Sequence, residues 1–206
     1  MIVEVLHYTP LEVADIAICK CYGNEPHSDS EKVKARINRV ANVSKHASTI
    51  EHLTYSFDID GISRGCLQEV VRHRIASYTV KSSRYTLQEL KDEESFIYHN
   101  KIPRLGTALK YIVLLDDRDI DYNNCVALEK LRLLLVNGVP NDKAKYCMPE
   151  AYKTSLVMTI NARALQNFLE LRSSKHALWE IQLLAKAMYE AIPDEHKFLY
   201  DNIIQS

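Results

Sequence analysis

The chain has 206 residues, 47% of them hydrophobic, a formal net charge of −1 and a sequence pI of about 6.7. That length suits one domain with a sizeable apolar core, and the charge balance argues against a general nucleic-acid binder, whose domain pI usually exceeds about 9. No apolar run approaches the roughly 20 residues of a membrane helix, so neither nucleic acid nor membrane is an expected partner.

In chain order, IVEVLHYT (residues 2–9) alternates and predicts an opening strand. Thr9, Pro10 and Glu12 offer an N-cap, a first-turn proline and a capping-box acid. The helix they open carries Leu11, Ala14, Ala17, Ile18 and Cys21 on one side. Residues 28–30 can cap a second helix through Val33, Ile37 and Val40. Leu53, Tyr55, Phe57 and Ile59 alternate as in a half-buried strand, and Gly61 is expected to turn the chain. Residues 62–74 read as a helix with Arg72, His73 and Arg74 at its C-terminus; the ASYTVKSSRYT that follows reads as starting in a loop. ESFIYHN (94–100) suggests a short strand. Residues 104–115 and 122–136 read as two long helices, the second stopped by Asn137-Gly138. Pro140 opens a short helix that Pro149 closes, and KTSLVMTI (153–160) is a strand. Residues 161–171 and 175–191 are expected helices on either side of Ser173-Ser174. With no repeat, linker or boundary, residues 1–206 are expected to form a single α+β domain, with three to five mostly antiparallel strands and many helices.

Cys19, Cys21, Cys66, Cys125 and Cys147 are an odd number without a CxxC pair, the pattern of reduced thiols in a cytoplasmic protein. MIVEVLHYTP lacks a basic region and carries Glu4, so no signal peptide is expected. The five glycines form neither GxGxxG nor a P-loop, so a dinucleotide would not be held in the Rossmann manner. No GxSxG elbow is present.

Three segments carry candidate chemistry. In VVRHRIASYTVKSSRYT (70–86), Arg72, His73, Arg74, Lys81 and Arg84 lie among serines and threonines with no carboxylate. The plain alternative is a solvated basic loop. Arginines spaced by hydroxyls are also the equipment for one phosphate ester, since the guanidinium makes planar two-point contacts and the hydroxyls take the remaining oxygens. In the second segment Arg163 and Asn167 share a helix face, while Arg172 continues the line of Asn161, Leu165 and Phe168. An ordinary amphipathic helix would explain most of this, but a charge on that line must face a cavity or a partner. His176 lies beyond, and a lone His before Trp179 is more often a core residue. The third holds His46, Ser48, Glu51 and His52; it matches no standard metal-ligand spacing, and no metal is expected.

Arg72-His73-Arg74, seven residues and then Ser82-x-Arg84 resembles the signature of the flavin-dependent thymidylate synthases (the ThyX family). HASTIEH (46–52), NGVPNDKAKYCMP (137–149) and INARALQNFLELRSSKHALWEIQ (160–182) are similar to other segments of that family, in its order. The resemblance implies a non-Rossmann α+β fold and reductive methylation of dUMP to dTMP, with methylenetetrahydrofolate as carbon donor and NADPH-reduced FAD as hydride source. It also implies a homotetramer with active sites between subunits. For the residues, it implies that Arg172 is catalytic, as the cation that activates uracil. Ser48, Glu51, Arg72, His73, Arg74, Val80, Asn161, Arg163 and Asn167 would contact FAD. Glu69, Arg72, Val80, Lys81, Ser82, Ser83, Arg84, Lys145 and Arg172 would contact dUMP, and His46 and His176 would line the flavin and folate region. The chain departs from the commoner family pattern at Thr79-Val80, where many members have Asn-Glu, at Glu69, usually Gln, and at Lys145, usually Arg. A non-catalytic nucleotide- or flavin-binding protein on the same fold is the alternative.

Overall fold

The computed structural model describes residues 1–204. Strand β1 (Ile2–Tyr8) leads into helix α1 (Leu11–Tyr22), then α2 (Ser30–Ile37), a π-helical turn (Asn38–Val43) and a 3-10 turn (Ala47–His52). Strand β2 (Thr54–Ser63), α3 (Arg64–Val70), β3 (Ala76–Val80), α4 (Ser83–Thr86), a 3-10 turn (Leu87–Asp92) and α5 (Leu105–Ala108) follow. The long α6 (Arg118–Val136), α7 (Asn141–Ala144), β4 (Lys153–Asn161), α8 (Ala162–Arg172), α9 (Trp179–Ala191) and α10 (Asp201–Ile204) complete the order. The four strands form one antiparallel sheet in the order β1-β2-β4-β3, which puts β1 and β3 at its edges. β1 pairs with β2 from Ile2 opposite Asp60 to Tyr8 opposite Tyr55, with a bulge between Val5 and His7.

The chain clusters into two compact units. One comprises residues 1–60, 69–79 and, as far as they are described, those from 156 to 204; the other comprises 61–68 and 80–155. In the first unit the expected β2 residues Leu53, Tyr55, Phe57 and Ile59 are all buried, as are Leu165, Phe168 and Leu169 of α8 and Ile181, Leu184 and Met188 of α9. The second unit has its own core of Leu87, Leu90, Phe96, Ile112, Leu128, Leu131 and Leu135 with neighbours.

Several elements differ from the sequence reading. Thr9 does not cap α1: its hydroxyl meets Thr54 Oγ1 at 2.8 Å and accepts from the Thr54 N–H, a cross-strand use of the side chain. The buried face of α1 includes Asp15 and Cys19, whereas Cys21 is exposed, because Arg36 reaches Asp15 Oδ1 at 3.1 Å and neutralises a buried carboxylate. Asp29 caps α2 by accepting from the Glu31 and Lys32 N–H groups. Gly61 (φ +77°) bends β2 without ending it. α3 therefore starts at Arg64 and stops at Val70, leaving Arg72, His73 and Arg74 in the connection after the helix. The Tyr78 hydroxyl ends that helix, lying 3.1 Å from the Val70 carbonyl and 2.5 Å from that of His73. Residues 76–80, expected as loop, form β3, since Ala76, Tyr78 and Val80 alternate with Ser77 and Thr79 along an edge strand.

The expected strand at 94–100 is only an isolated bridge between Ile97 and Pro103. The expected helix 104–115 is cut to α5, because the following residues straighten to pair with 151–153: Val113 N–H donates to the Ala151 carbonyl and Lys153 N–H to that of Tyr111. α6 starts four residues early, at the Asp117 cap. α9 begins at Trp179, after a bend through Ser174.

Candidate functional site

In the first unit, Arg172 closes α8 on the line of the fully buried Leu165 and Phe168. A charge there needs a partner. The partner is Glu69, near the end of α3. Arg172 Nη1 donates to Glu69 Oε2 at 2.9 Å, and Nη2 donates to the Glu69 backbone carbonyl at 2.8 Å. The other carboxylate oxygen accepts from Arg72 Nη1 at 3.1 Å. One carboxylate is thus shared by two arginines. The hydrogen bond from Arg72, then the positive charges of Arg72 and Arg172, hold Glu69 below the usual carboxylate range against the opposing effect of burial. The Arg172 side chain is 18% exposed and that of Arg72 71%, so Arg172 is the enclosed member and Arg72 the solvated one. A guanidinium has five N–H donors, and Glu69 occupies two of those on Arg172, leaving three.

His73 stands edge-on to Phe168, ring centroids 5.6 Å apart at 88°. Burial first, and the Arg172 charge second, push its pKa down, so the ring is neutral at pH 7. Its Nε2 is buried without a partner among the described residues. A buried, unpaired ring nitrogen is costly and marks a place where a ligand can supply the missing hydrogen bond. Arg74 is exposed.

A second group in the same unit joins the 3-10 turn 47–52 to α8. Arg163 Nη1 donates to Glu51 Oε1 at 2.6 Å, with side chains 55% and 45% exposed, a pair worth little in water and easily exchanged. Asn167, one turn further on, and Ser48 are both exposed. Asn161 caps α8: its Oδ1 accepts from Ala164 N–H at 2.8 Å, so its NH2 is the end left for another partner. His46 is exposed, its Nδ1 3.4 Å from the Tyr22 hydroxyl. His176 is exposed as well, not a core histidine, and its backbone N–H donates to Ser174 Oγ at 3.3 Å. Among the described residues neither histidine forms a hydrogen bond or ion pair with the arginine cluster.

In the second unit, Val80 ends β3, and Lys81 N–H donates to the Ser155 carbonyl at 2.8 Å. Lys81 Nζ lies 3.3 Å from Glu89 Oε1. Ser82 is the N-cap of α4, its carbonyl accepting from the Tyr85 and Thr86 N–H groups at 3.0 and 3.1 Å. Ser83 and Arg84 open the helix. Arg84 is exposed, 5.9 Å from the Tyr85 ring centroid, and among the described residues it forms no ion pair. Lys145 follows α7 directly and is half-buried.

Sequence reasoning did not find the grip of Glu69 on Arg172; the signal was there in the acid at a position commonly Gln. Among the described residues no group of His, Cys, Asp or Glu could hold a metal ion, and no helix is long and apolar enough to cross a membrane. The five cysteines are free.

A family model described as thymidylate synthase complementing protein matches residues 4–196. The chain is 53% identical over 202 residues to the flavin-dependent thymidylate synthase of Wolinella succinogenes, with 97% of each chain covered. It is 50% identical over 206 residues to that of Campylobacter jejuni, covering 99% of this chain and 98% of the relative. Among solved structures, Thymidylate Synthase X from Helicobacter pylori, determined with FAD and dUMP, matches with a TM-score of 0.93 and 49% identity over 100% of both chains.

Proposed function

Because the chain belongs to the flavin-dependent thymidylate synthase family, we propose that it methylates dUMP to dTMP, with methylenetetrahydrofolate as carbon donor and an NADPH-reduced FAD as hydride source. The observation that carries this reading is the half-buried Arg172, clamped by Glu69 yet with three donors to spare.

Uracil C5 is a poor nucleophile. A cation at the pyrimidine stabilises the base with its N3 proton removed, and the density pushed into the ring reaches C5. Arg172 is that cation: two of its remaining donors suffice for a two-point contact with a planar base. No thiol is needed, and Cys19, Cys66 and Cys125 are buried, with burial pushing the Cys125 thiol up. The exposed Arg84, with Ser82, Ser83 and Lys81, and Lys145 in support, binds the phosphate dianion. Glu69 and Arg72 would contact dUMP as well.

FAD supplies the hydride when bound. Ser48, Glu51, Asn161, Arg163, Asn167 and the Arg72, His73 and Arg74 connection would hold it, with Val80 contributing. The unpartnered His73 Nε2 and the loose Arg163–Glu51 pair fit a polar, anionic cofactor. His46 and His176 would line the flavin and folate region. The whole chain, 1–206, acts as one synthase domain in a cytoplasmic homotetramer whose active sites lie between subunits. The exposed Val71, Ile75, Leu171, Trp179 and Leu183 support such an assembly.

The test is the visible spectrum of the purified protein. Flavin absorbance released by heat, and a melting temperature raised by added FAD, are expected. A colourless protein whose melting FAD does not move overturns the reading.

A further inference from the structure

Asn141 is buried, and both ends of its amide are engaged within the second unit. Nδ2 donates to the Arg84 backbone carbonyl at 2.8 Å, and Oδ1 accepts from Gln88 Nε2 at 2.7 Å. A carbonyl can only accept, so the amide orientation is fixed by chemistry. We infer that Asn141 is a positioning residue for the phosphate-binding cations: it locks the Arg84 helix to the Lys145 segment and so sets the geometry in which they meet the nucleotide. The inference rests on the proposed dUMP site.

Four features support it. α4 has only four residues, far below the length at which a helix holds itself, so its shape depends on outside contacts. Arg84 itself has an exposed side chain without an ion pair, so its aim is set by the backbone that Asn141 holds. Asn141 is also the first residue of α7, and Lys145 follows that helix four residues later, about one turn and ~6 Å along the axis. Leu87 and Ala144, which follow α4 and end α7, are both buried in the same core, so the bracket sits on a rigid base.

The experiment compares Asn141→Ala, Asn141→Asp and Gln88→Ala in the full-length, flavin-loaded enzyme. Steady-state kinetics with dUMP, and calorimetric binding of dUMP and of phosphate-free deoxyuridine, are measured. Asn141→Ala should raise KM for dUMP roughly tenfold, the effect of one buried hydrogen bond, with kcat within about twofold. Deoxyuridine binding and flavin content should not change, so the preference for dUMP over deoxyuridine narrows. Asn141→Asp should be worse, because a carboxylate oxygen would face the Arg84 carbonyl, and Gln88→Ala should move in the same direction by less. Equal losses for dUMP and deoxyuridine, or an unchanged dUMP KM in folded Asn141→Ala, overturn the inference. If the Asn141 variants do not fold, an unchanged dUMP preference in Gln88→Ala overturns it alone. Wild-type protein that binds no dUMP refutes the functional reading, and this inference with it; wild-type binding beside unaffected variants refutes only the role of Asn141.

Discussion

Replacing Arg172 by Ala should separate chemistry from cofactor binding. The structural loss is limited. Two charge-assisted contacts to Glu69 disappear, but the Glu69 carboxylate keeps Arg72 and is 30% exposed, so water replaces much of what is lost. About 1–2 kcal/mol of stability should go, a fall in melting temperature of roughly 2–8 °C for a chain of this size. The catalytic loss is larger. If Arg172 stabilises charge that develops on the uracil, its removal should slow dTMP formation by about 10²–10³, or about 2.7–4 kcal/mol. Arg172→Lys should recover only part, because an ammonium lacks the planar two-point contact. Flavin should stay bound, and its reduction by NADPH in stopped flow should remain within a few-fold of wild type. Arg172 also lowers the His73 pKa after burial does, so the imidazole should titrate closer to its ordinary value in the variant. Loss of flavin from Arg172→Ala, with normal dTMP formation once excess FAD is supplied, would show that Arg172 binds the cofactor and does not activate uracil.

Arg84→Ala should weaken dUMP binding by roughly ten- to a hundredfold, the scale of one charge-assisted contact, and FAD binding much less; equal losses measured by calorimetry would make Arg84 structural. Replacing the five cysteines should leave substantial turnover. Cys19→Ser should cost stability instead, since Cys19 is packed with Arg36 and Asp15, and selective loss of turnover with any one thiol would contradict the mechanism. Burial lowers the pKa of His196, whose Nδ1 lies 2.7 Å from the Tyr55 hydroxyl, while Glu195 and Glu12 act weakly the other way. The unfolded chain therefore takes up this proton first, and stability present above the ordinary His pKa of about 6.5 is lost as pH falls below it. His196→Gln should flatten the melting temperature between pH 7 and pH 5; an unchanged slope would refute the assignment.

Much of this was legible in the sequence for definite reasons. Leu53, Tyr55, Phe57 and Ile59 alternate because one face of β2 is buried, and Asn137-Gly138 ends α6 with a glycine at φ +83°. The line from Leu165 and Phe168 to Arg172 called for a cavity or a partner at that charge, and Glu69 is there as a partner. What was not legible depends on tertiary contacts. Residues 76–80 look like a loop until β4 pairs them as an edge strand, and residues 109–115 look helical until 151–153 compete for their backbone groups. The short stop of α3 depends on a hydroxyl eight residues downstream, at Tyr78. Glu69 stood out only as a departure, and its role as the clamp shared by Arg72 and Arg172 arises only when the fold brings α3 and α8 together. Asn141 lay inside a quoted motif with no property to distinguish it from any polar helix-start residue.

The most direct measurement is product formation by the flavin-loaded enzyme. Protein is incubated with dUMP, methylenetetrahydrofolate and NADPH, and dTMP is quantified by chromatography, with each component omitted in turn and FAD stripped and restored. The account predicts dTMP only when all three substrates are present, loss of activity on removing FAD and recovery on returning it. NADPH oxidation that yields no dTMP, or dTMP formed equally well by the FAD-free protein, would contradict it.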